Sequence, residues 1–308
     1  MSKPVLLPGD RKHICVCVCT YRRNGLLERL LTDLKKQATD GLFSYSVIVV
    51  DNDAVPSARP IVEKAREKAI VKIDYFHEQR RSISHARNLA VENASSDFVA
   101  FIDDDEFPAD RWLVNLYKEQ RRSKADGVLG PVIPHFAVEP PGWLVRSRLC
   151  ERPRFPSGSI ITNSLHTRTG NALLLKDVLR REDGPFHPRF GTSGGGDLDY
   201  FKRMMKKGKV FVWCDEACVY ETVTLDRYTR SYYMRRALLR GSLRAQLEPF
   251  LSMGTVRSLL AIPLYAMAMP FLQLIGHHFF VRYLIKECDH VGKLVAHFGI
   301  RIVKERPY

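Results

Sequence analysis

A mostly parallel α/β sheet flanked by helices, with a helical region after it, is the fold class predicted for this 308-residue chain. Three observations predict it. Apolar runs of strand length alternate with segments of helical apolar spacing, the order that builds a parallel sheet with helices on both faces. Three of the strand ends carry polar or acidic residues, namely Thr20, Asp51 and the run Asp103, Asp104, Asp105. In such sheets ligands bind beyond the carboxyl ends of the strands. Residues 258–281 contain no Asp, Glu, Lys or Arg, which sets the C-terminal part apart from the rest.

The elements follow in order. Residues 13–19 alternate Cys and Val and read as a buried strand, and Thr20 to Gly25 as a loop. Residues 26–37 carry apolar side chains at helical spacing. Residues 45–50 are a fully apolar strand ending in Asp51-Asn52-Asp53. A helix is expected over 57–69, a strand over 71–76, and a helix over 82–94 with Ser82 as its cap. Residues 97–102 are a fourth strand. Beyond residue 107 the pattern loosens into a helix over 112–122, a strand over 127–133 and a proline-containing, loop-rich stretch over 134–170. A strand is expected from Gly170, a helix start after Gly194-Gly195-Gly196-Asp197, and a strand over 209–214. An arginine-rich helix is expected over 224–244. The uncharged segment 258–281 is long enough to cross a membrane. Its Pro263 and Pro270 and its basic flanks leave a kinked hairpin or an interfacial helix equally open.

Composition narrows the function classes. With 45% hydrophobic and 27% charged residues the chain can bury a core, which excludes a disordered or collagen-like protein. The 48 Lys and Arg against 34 Asp and Glu favour anionic partners. Seven cysteines without a CxxC pair read as buried free thiols of a reduced cytosolic protein, and the polar residues 1–12 do not resemble a signal peptide. Neither GxGxxG after the first strand nor GxxxxGK[ST] occurs, so a dinucleotide fingerprint and a P-loop are unsupported.

The chemistry-bearing residues lie at the strand ends. Three adjacent carboxylates repel unless a cation or donors neutralise them, and hard oxygen ligands suit Mg²⁺ or Mn²⁺. The competing reading is a solvated acidic turn. Asp51 is placed to accept from a base imide or a ribose hydroxyl, or to close an Asx-turn. Arg87 suits a phosphate or a planar base. Asp197, delivered by three glycines to a helix start, is a candidate general base or a helix cap.

Five segments in this order, CTYRR, VIVVDNDAVPSAR, ISHARNLAV, FVAFIDDDE and GGGDLDYF, resemble the family 2 glycosyltransferases of GT-A fold, and among them bacterial exopolysaccharide glucosyltransferases of the succinoglycan type. The resemblance covers roughly residues 13–245. It implies an inverting transfer from a UDP-sugar, with Mn²⁺ or Mg²⁺ as cofactor and a lipid-linked or oligosaccharide acceptor. Thr20, Tyr21 and Arg23 would border the base, Asp51 would bind the uracil, and Arg87 would hold the nucleotide. Asp103 would contact the ribose, with Asp53 and Asp104 in the same nucleotide-sugar set. Asp105 would hold the metal and Asp197 would be the base. Two positions depart from the family pattern: Gly196 stands where relatives have Glu, and Tyr220 where they often have His. The resemblance further implies a catalytic domain over 10–225 and a basic, hydrophobic helical region over 226–308 at the anionic cytoplasmic face of the inner membrane. No nucleic-acid module is visible. The alternatives are a nucleotidyltransferase acting on sugar phosphates and a non-catalytic nucleotide-sugar-binding assembly protein.

Overall fold

The structure, a computed structural model, describes residues 11–67, 69–180, 184–192, 194–300 and 302–303. The polar start at residues 1–10, Lys68 within the expected second helix, and the chain end from residue 304 lie outside the described residues. The chain divides into two compact units. The first comprises residues 1–133, 152–191 and 196–221, and the second residues 134–151, 192–195 and 222–308.

The first unit opens with β1 (Lys12–Thr20), α1 (Asn24–Leu34), β2 (Phe43–Asp51), α2 (Arg59–Glu67), β3 (Ile73–His77), α3 (Ile83–Asn93) and β4 (Phe98–Ile102). The expected strand–helix alternation is present, and each strand lies within three residues of where its apolar run placed it. The loop-rich stretch 134–170 contains a short α-helix. Then come β5 (Glu106–Pro108), α4 (Trp112–Ser123), β6 (Gly127–Leu129), β7 (Val132–His135) and α5 (Gly142–Ser147). The single strand expected over 127–133 is split into β6 and β7 at Gly130-Pro131, because proline cannot donate to a ladder. The order ends with β8 (Asn171–Leu175), α6 (Gly196–Lys206), β9 (Phe211–Trp213), β10 (Val219–Thr222), α7 (Arg230–Leu247), α8 (Met253–Ile275) and α9 (His277–His297).

Seven strands form one sheet in the order β3-β2-β1-β4-β8-β6-β9. All pairings are parallel except those of β8, which runs antiparallel to both β4 and β6. The pattern explains the burial. Strands covered on both faces read as continuous apolar runs, and Ile14, Val16 and Val18 pack in one core layer while Cys15 and Cys17 pack in the other. All seven cysteines are free, and burial pushes the Cys19 thiol up to about 12. Leu27, Leu30, Leu31 and Leu34 form the buried stripe of α1 at the i, i+3, i+4, i+7 positions. Ser82 caps α3, its side chain accepting from the His85 N–H.

One polar knot ties the far half of the sheet. Asn171, 2% exposed at the start of β8, accepts from the Trp112 indole N–H at 2.8 Å. It donates to the carbonyls of Pro131 at 2.9 Å and Ala217 at 2.7 Å. The Pro131 carbonyl also accepts from the Val219 N–H at 3.1 Å, so the Trp112 indole and the Ala217 carbonyl are the buried groups that depend most on Asn171.

The second unit is helical. Its core joins Leu144 of α5, Tyr232, Tyr233 and Ala237 of α7, and Val281, Ile285 and Cys288 of α9. The α7–α9 approach is close enough that a Cβ at Gly241 would overlap the Asp289 carbonyl, and one at Gly292 the Leu238 carbonyl. The uncharged segment 258–281 is two helices, broken at Gly276 between α8 and α9. Among the described residues α8 is the helix long and apolar enough to cross a membrane by length and composition.

Asn171→Ala strips partners from a buried indole N–H and two buried carbonyls. Urea unfolding should show a loss of about 3 kcal/mol, whereas an unchanged midpoint would mean that the knot carries no stability.

Candidate active site

The parallel pairing of β1 with β2 and β4 brings their carboxyl ends to one edge of the sheet. Thr20 sits opposite Asp51 in register. The β1–β4 register, with Cys17 opposite Phe101, places Thr20 level with the acidic run. The Thr20 hydroxyl, 2% exposed, donates to Asp104 at 2.8 Å. Arg23, in the turn after β1, donates to Asp104 at 2.9 Å and to Asp105 at 3.0 Å. Burial pushes the Asp104 carboxyl up to about 6; Arg23 pulls it down and Asp105 raises it again. Below that value Asp104 protonates and the Arg23 contact weakens.

The segment after β2 is built by its own acids. Asp51 is fully buried, and its oxygens accept from the Asp53 N–H at 3.2 Å, the Ala58 N–H at 2.7 Å and the Tyr75 hydroxyl at 3.1 Å. Of the two parts open to Asp51, the turn is the one its hydrogen bonds perform here. Asp53 accepts from Arg22 at 2.8 Å, and that arginine first among its contacts holds the carboxyl below its ordinary range. Asn52 donates to the carbonyls of Glu78 and Arg80 and accepts from the Ser82 N–H, which ties the β3–α3 connection to the end of β2. The Tyr21 ring has the guanidiniums of Arg22 and Arg81 at 5.2 Å and 5.4 Å from its centroid.

Asp197 lies far along the sequence from these strands, yet it reaches them. It sits in the first turn of α6, where a carboxylate is favoured by the helix dipole. Gly194 and Gly195 before it have φ of +83° and +89°, which a side chain would strain. One carboxylate oxygen accepts from Arg87. The other accepts from the Thr169 hydroxyl at 2.9 Å and from the Thr169 N–H at 3.2 Å. Arg87 also reaches Asp103 at 3.5 Å, so one guanidinium faces both acids. Burial works against the Arg87 charge, but Asp197 and Asp103 together hold its pKa above the ordinary value.

Sequence reasoning missed Thr169, Glu106 and Arg152. Glu106, 3% exposed, accepts from the Asp103 N–H at 3.0 Å. Its pKa is raised well above the usual range, by burial first, then by Asp103 and Glu221, with Arg152 opposing. Arg152 pairs with Glu221. Gly170 leaves room for these acids, since a Cβ there would stand 2.7 Å from Glu106 Oε1 and 3.2 Å from Asp103 Oδ2. The short TGN run 169–171 was the available signal: a hydroxyl, a residue without a side chain and an amide at the head of a strand. Tyr220 stacks on Phe107 at 5.2 Å.

The donor set fits a divalent cation in kind. Asp103, with its side chain 46% exposed, and Asp105 offer hard oxygens, and Glu106 lies in a locally negative field. Among the described residues no three His, Cys, Asp or Glu side chains converge as a ready cage. Mg²⁺ bound beside a substrate phosphate takes one or two protein carboxylates and completes its shell with phosphate oxygens and water.

Residues 15–182 match glycosyl transferase family 2, more than half of the chain, and the protein belongs to that family. Among curated relatives it is 36% identical to the succinoglycan biosynthesis protein ExoM of Rhizobium meliloti, over 78% of this chain and 77% of that one. It is 25% identical to the poly(ribitol-phosphate) beta-N-acetylglucosaminyltransferase TarS of Staphylococcus aureus, over 71% of this chain and 37% of that one. Among solved structures it superposes on the mannosyltransferase PcManGT from Pyrobaculum calidifontis, in complex with GDP-Man and Mn²⁺, with TM-score 0.62. The identity there is 20%, and the match covers 93% of this chain and 88% of that one. At that identity the likeness speaks for the fold, which is GT-A.

Arg87→Met keeps the length of the side chain and removes its charge. Asp197 and Asp103 then lose the guanidinium they share, and denaturant unfolding should show a loss of about 2 kcal/mol, discounted because both carboxylates reach solvent. Wild-type stability in the variant would mean that the bridge is energetically idle.

Proposed function

We propose that the protein is an inverting, divalent-metal-dependent glycosyltransferase. It moves a hexose from a UDP-sugar to a hydroxyl of a lipid-linked or oligosaccharide acceptor during polysaccharide synthesis, at the anionic cytoplasmic face of the inner membrane. The family membership and the likeness to a succinoglycan biosynthesis protein support the reaction class. The observation that carries the reading is the linkage of Asp197 through Arg87 to Asp103, which joins the acid in the first turn of α6 to the acidic strand end.

In this reading the nucleotide lies across the ends of β1, β2 and β4. Thr20, Tyr21 and Arg23 border the base, Asp103 takes the ribose, and Asp51 and Asp53 shape the wall of the base site. Arg87 presents a cation toward the diphosphate while keeping Asp197 in place. Asp105, with Asp103 beside it, would hold Mn²⁺ or Mg²⁺, which when bound neutralises charge on the leaving diphosphate. Asp197 accepts the proton of the acceptor hydroxyl as its oxygen bonds to the anomeric carbon. The bond from that carbon to the diphosphate oxygen breaks, and UDP leaves. One base and one in-line displacement suffice, so the anomeric configuration inverts. Thr169 holds one oxygen of Asp197 with two hydrogen bonds and so fixes the direction from which the base approaches.

Calorimetry with UDP tests the donor site. Wild type should bind in a Mn²⁺-dependent manner, and Asp105→Asn should remove that dependence; equal affinity in both proteins would sink the role of Asp105. Asp197→Asn should keep UDP affinity and lose transfer by about a thousandfold or more, and near-normal turnover would remove it as the base. Thr169→Val should lower kcat roughly tenfold with the donor KM unchanged, and Thr169→Ser should restore most of it.

A further inference from the structure

The outward face of α8 is apolar from end to end. Val256, Leu260, Leu264, Met267, Phe271 and Leu274 recur every three or four residues and are between 46% and 85% exposed. The opposite face, with Thr255, Ser258 and Ala261 buried, packs on α9. Ser258 hydrogen-bonds His290 at 2.9 Å, Thr255 hydrogen-bonds His297 at 3.3 Å, and the rings of Tyr265 and Tyr283 meet edge to face at 5.2 Å. These contacts lay α9 antiparallel along α8.

We infer that α8 seats this outward face in the surface of an anionic bilayer, lying in the plane of the membrane and not crossing it. The inference rests on the membrane association proposed above and adds how that association is made. Three observations carry it. A crossing needs about 20 residues, nearly the whole of the 23-residue α8. The antiparallel contacts place residues 282–289 of α9 beside the middle of α8, so a crossing would draw Arg282, Lys286, Glu287 and Asp289 into the hydrocarbon with it, where charged side chains are costly. Pro263 and Pro270 inside α8 deprive the carbonyls one turn earlier of their helical donors. In the headgroup layer water reaches those carbonyls; in the bilayer core each would need a donor from the protein.

Charge selects the lipid. Residues 222–308 contain 13 Lys and Arg against five Asp and Glu. Arg257 stands exposed on α8 itself and Arg282 on α9. A helix with an apolar face and basic surroundings binds an interface through both its buried area and the anionic headgroups.

The test uses the full chain and two vesicle types, phosphatidylglycerol mixed with phosphatidylcholine and phosphatidylcholine alone. The protein should float with the anionic vesicles, more weakly at high salt, and poorly with the neutral ones. Tryptophans introduced one at a time at Val256, Leu264 and Leu274, read against the wild-type emission of Trp112, Trp143 and Trp213, then report depth through quenching by brominated lipids. All three introduced tryptophans should be quenched best by bromines near the headgroups. Deepest quenching at Leu264 with shallow ends would show a crossing helix and overturn the in-plane seat while leaving membrane association intact. Absence of flotation with both vesicle types would overturn membrane association itself, and equal flotation with both would overturn the role of charge. The double variant Leu264→Glu with Phe271→Glu should weaken flotation about tenfold or more. Its thermal unfolding should match wild type, because both side chains point away from α9; unweakened flotation would overturn the assignment of this face.

Discussion

The Arg87 guanidinium is buried on α3 with Asp197 on one side and Asp103 on the other. A buried charge persists only when it is neutralised and hydrogen-bonded, so the two acids and the arginine require one another. This sets where α6 must begin and how β4 must end. It also explains why an acid on a glycine-flanked turn comes to lie beside carboxylates at the edge of the sheet. Arg23 performs the same service for Asp104 and Asp105, and Arg152 for Glu221. The site is a set of acids held close by guanidiniums.

Rigid side-chain amides support this arrangement from behind. Asn52 ties the β3–α3 connection to β2, and Asn171 ties β8 to α4 and to the segment before β10. Each uses both its oxygen and its nitrogen on buried backbone or indole groups, so neither can rotate without leaving a partner unpaired. Between them, Thr169 and Gly170 do complementary things. The first grips Asp197, and the second withholds a side chain where Glu106 and Asp103 need the space. In the proposed reaction such preorganisation would let Asp197 act as base without reorganising.

The second unit follows a different logic. Its core is small and aromatic, and its α7–α9 crossing depends on two glycines that let the backbones approach. The arginines of α7 and of the turn before it are not all solvated. Arg227 is buried near the Tyr232 ring, Arg230 lies over Trp143, and Arg240 pairs with Asp289. A basic helix thus packs with one set of its charges and keeps others outward, while α8 leaves its largest apolar side chains without cover.

By itself the sequence determined the strand–helix alternation, the parallel sheet, the helical C-terminal part and the polar character of the strand ends. These are local properties: periods of two and 3.6, apolar run length, caps and turn residues are read from neighbours in the chain. It also carried the family, through the order of five short motifs. Only the tertiary structure decided which acids meet. The grip of Thr169 on Asp197, the reach of Arg87 to two acids and the burial of Glu106 each join residues distant in sequence. Asp51 shows the same limit, since an aspartate at a strand end is equally fit for a ligand or a turn until its hydrogen bonds are seen. For residues 258–281, hydropathy measured how apolar the segment is, but not that it breaks at Gly276 or which charges lie beside it. Periodicity states that a face is to be buried; packing alone states against what.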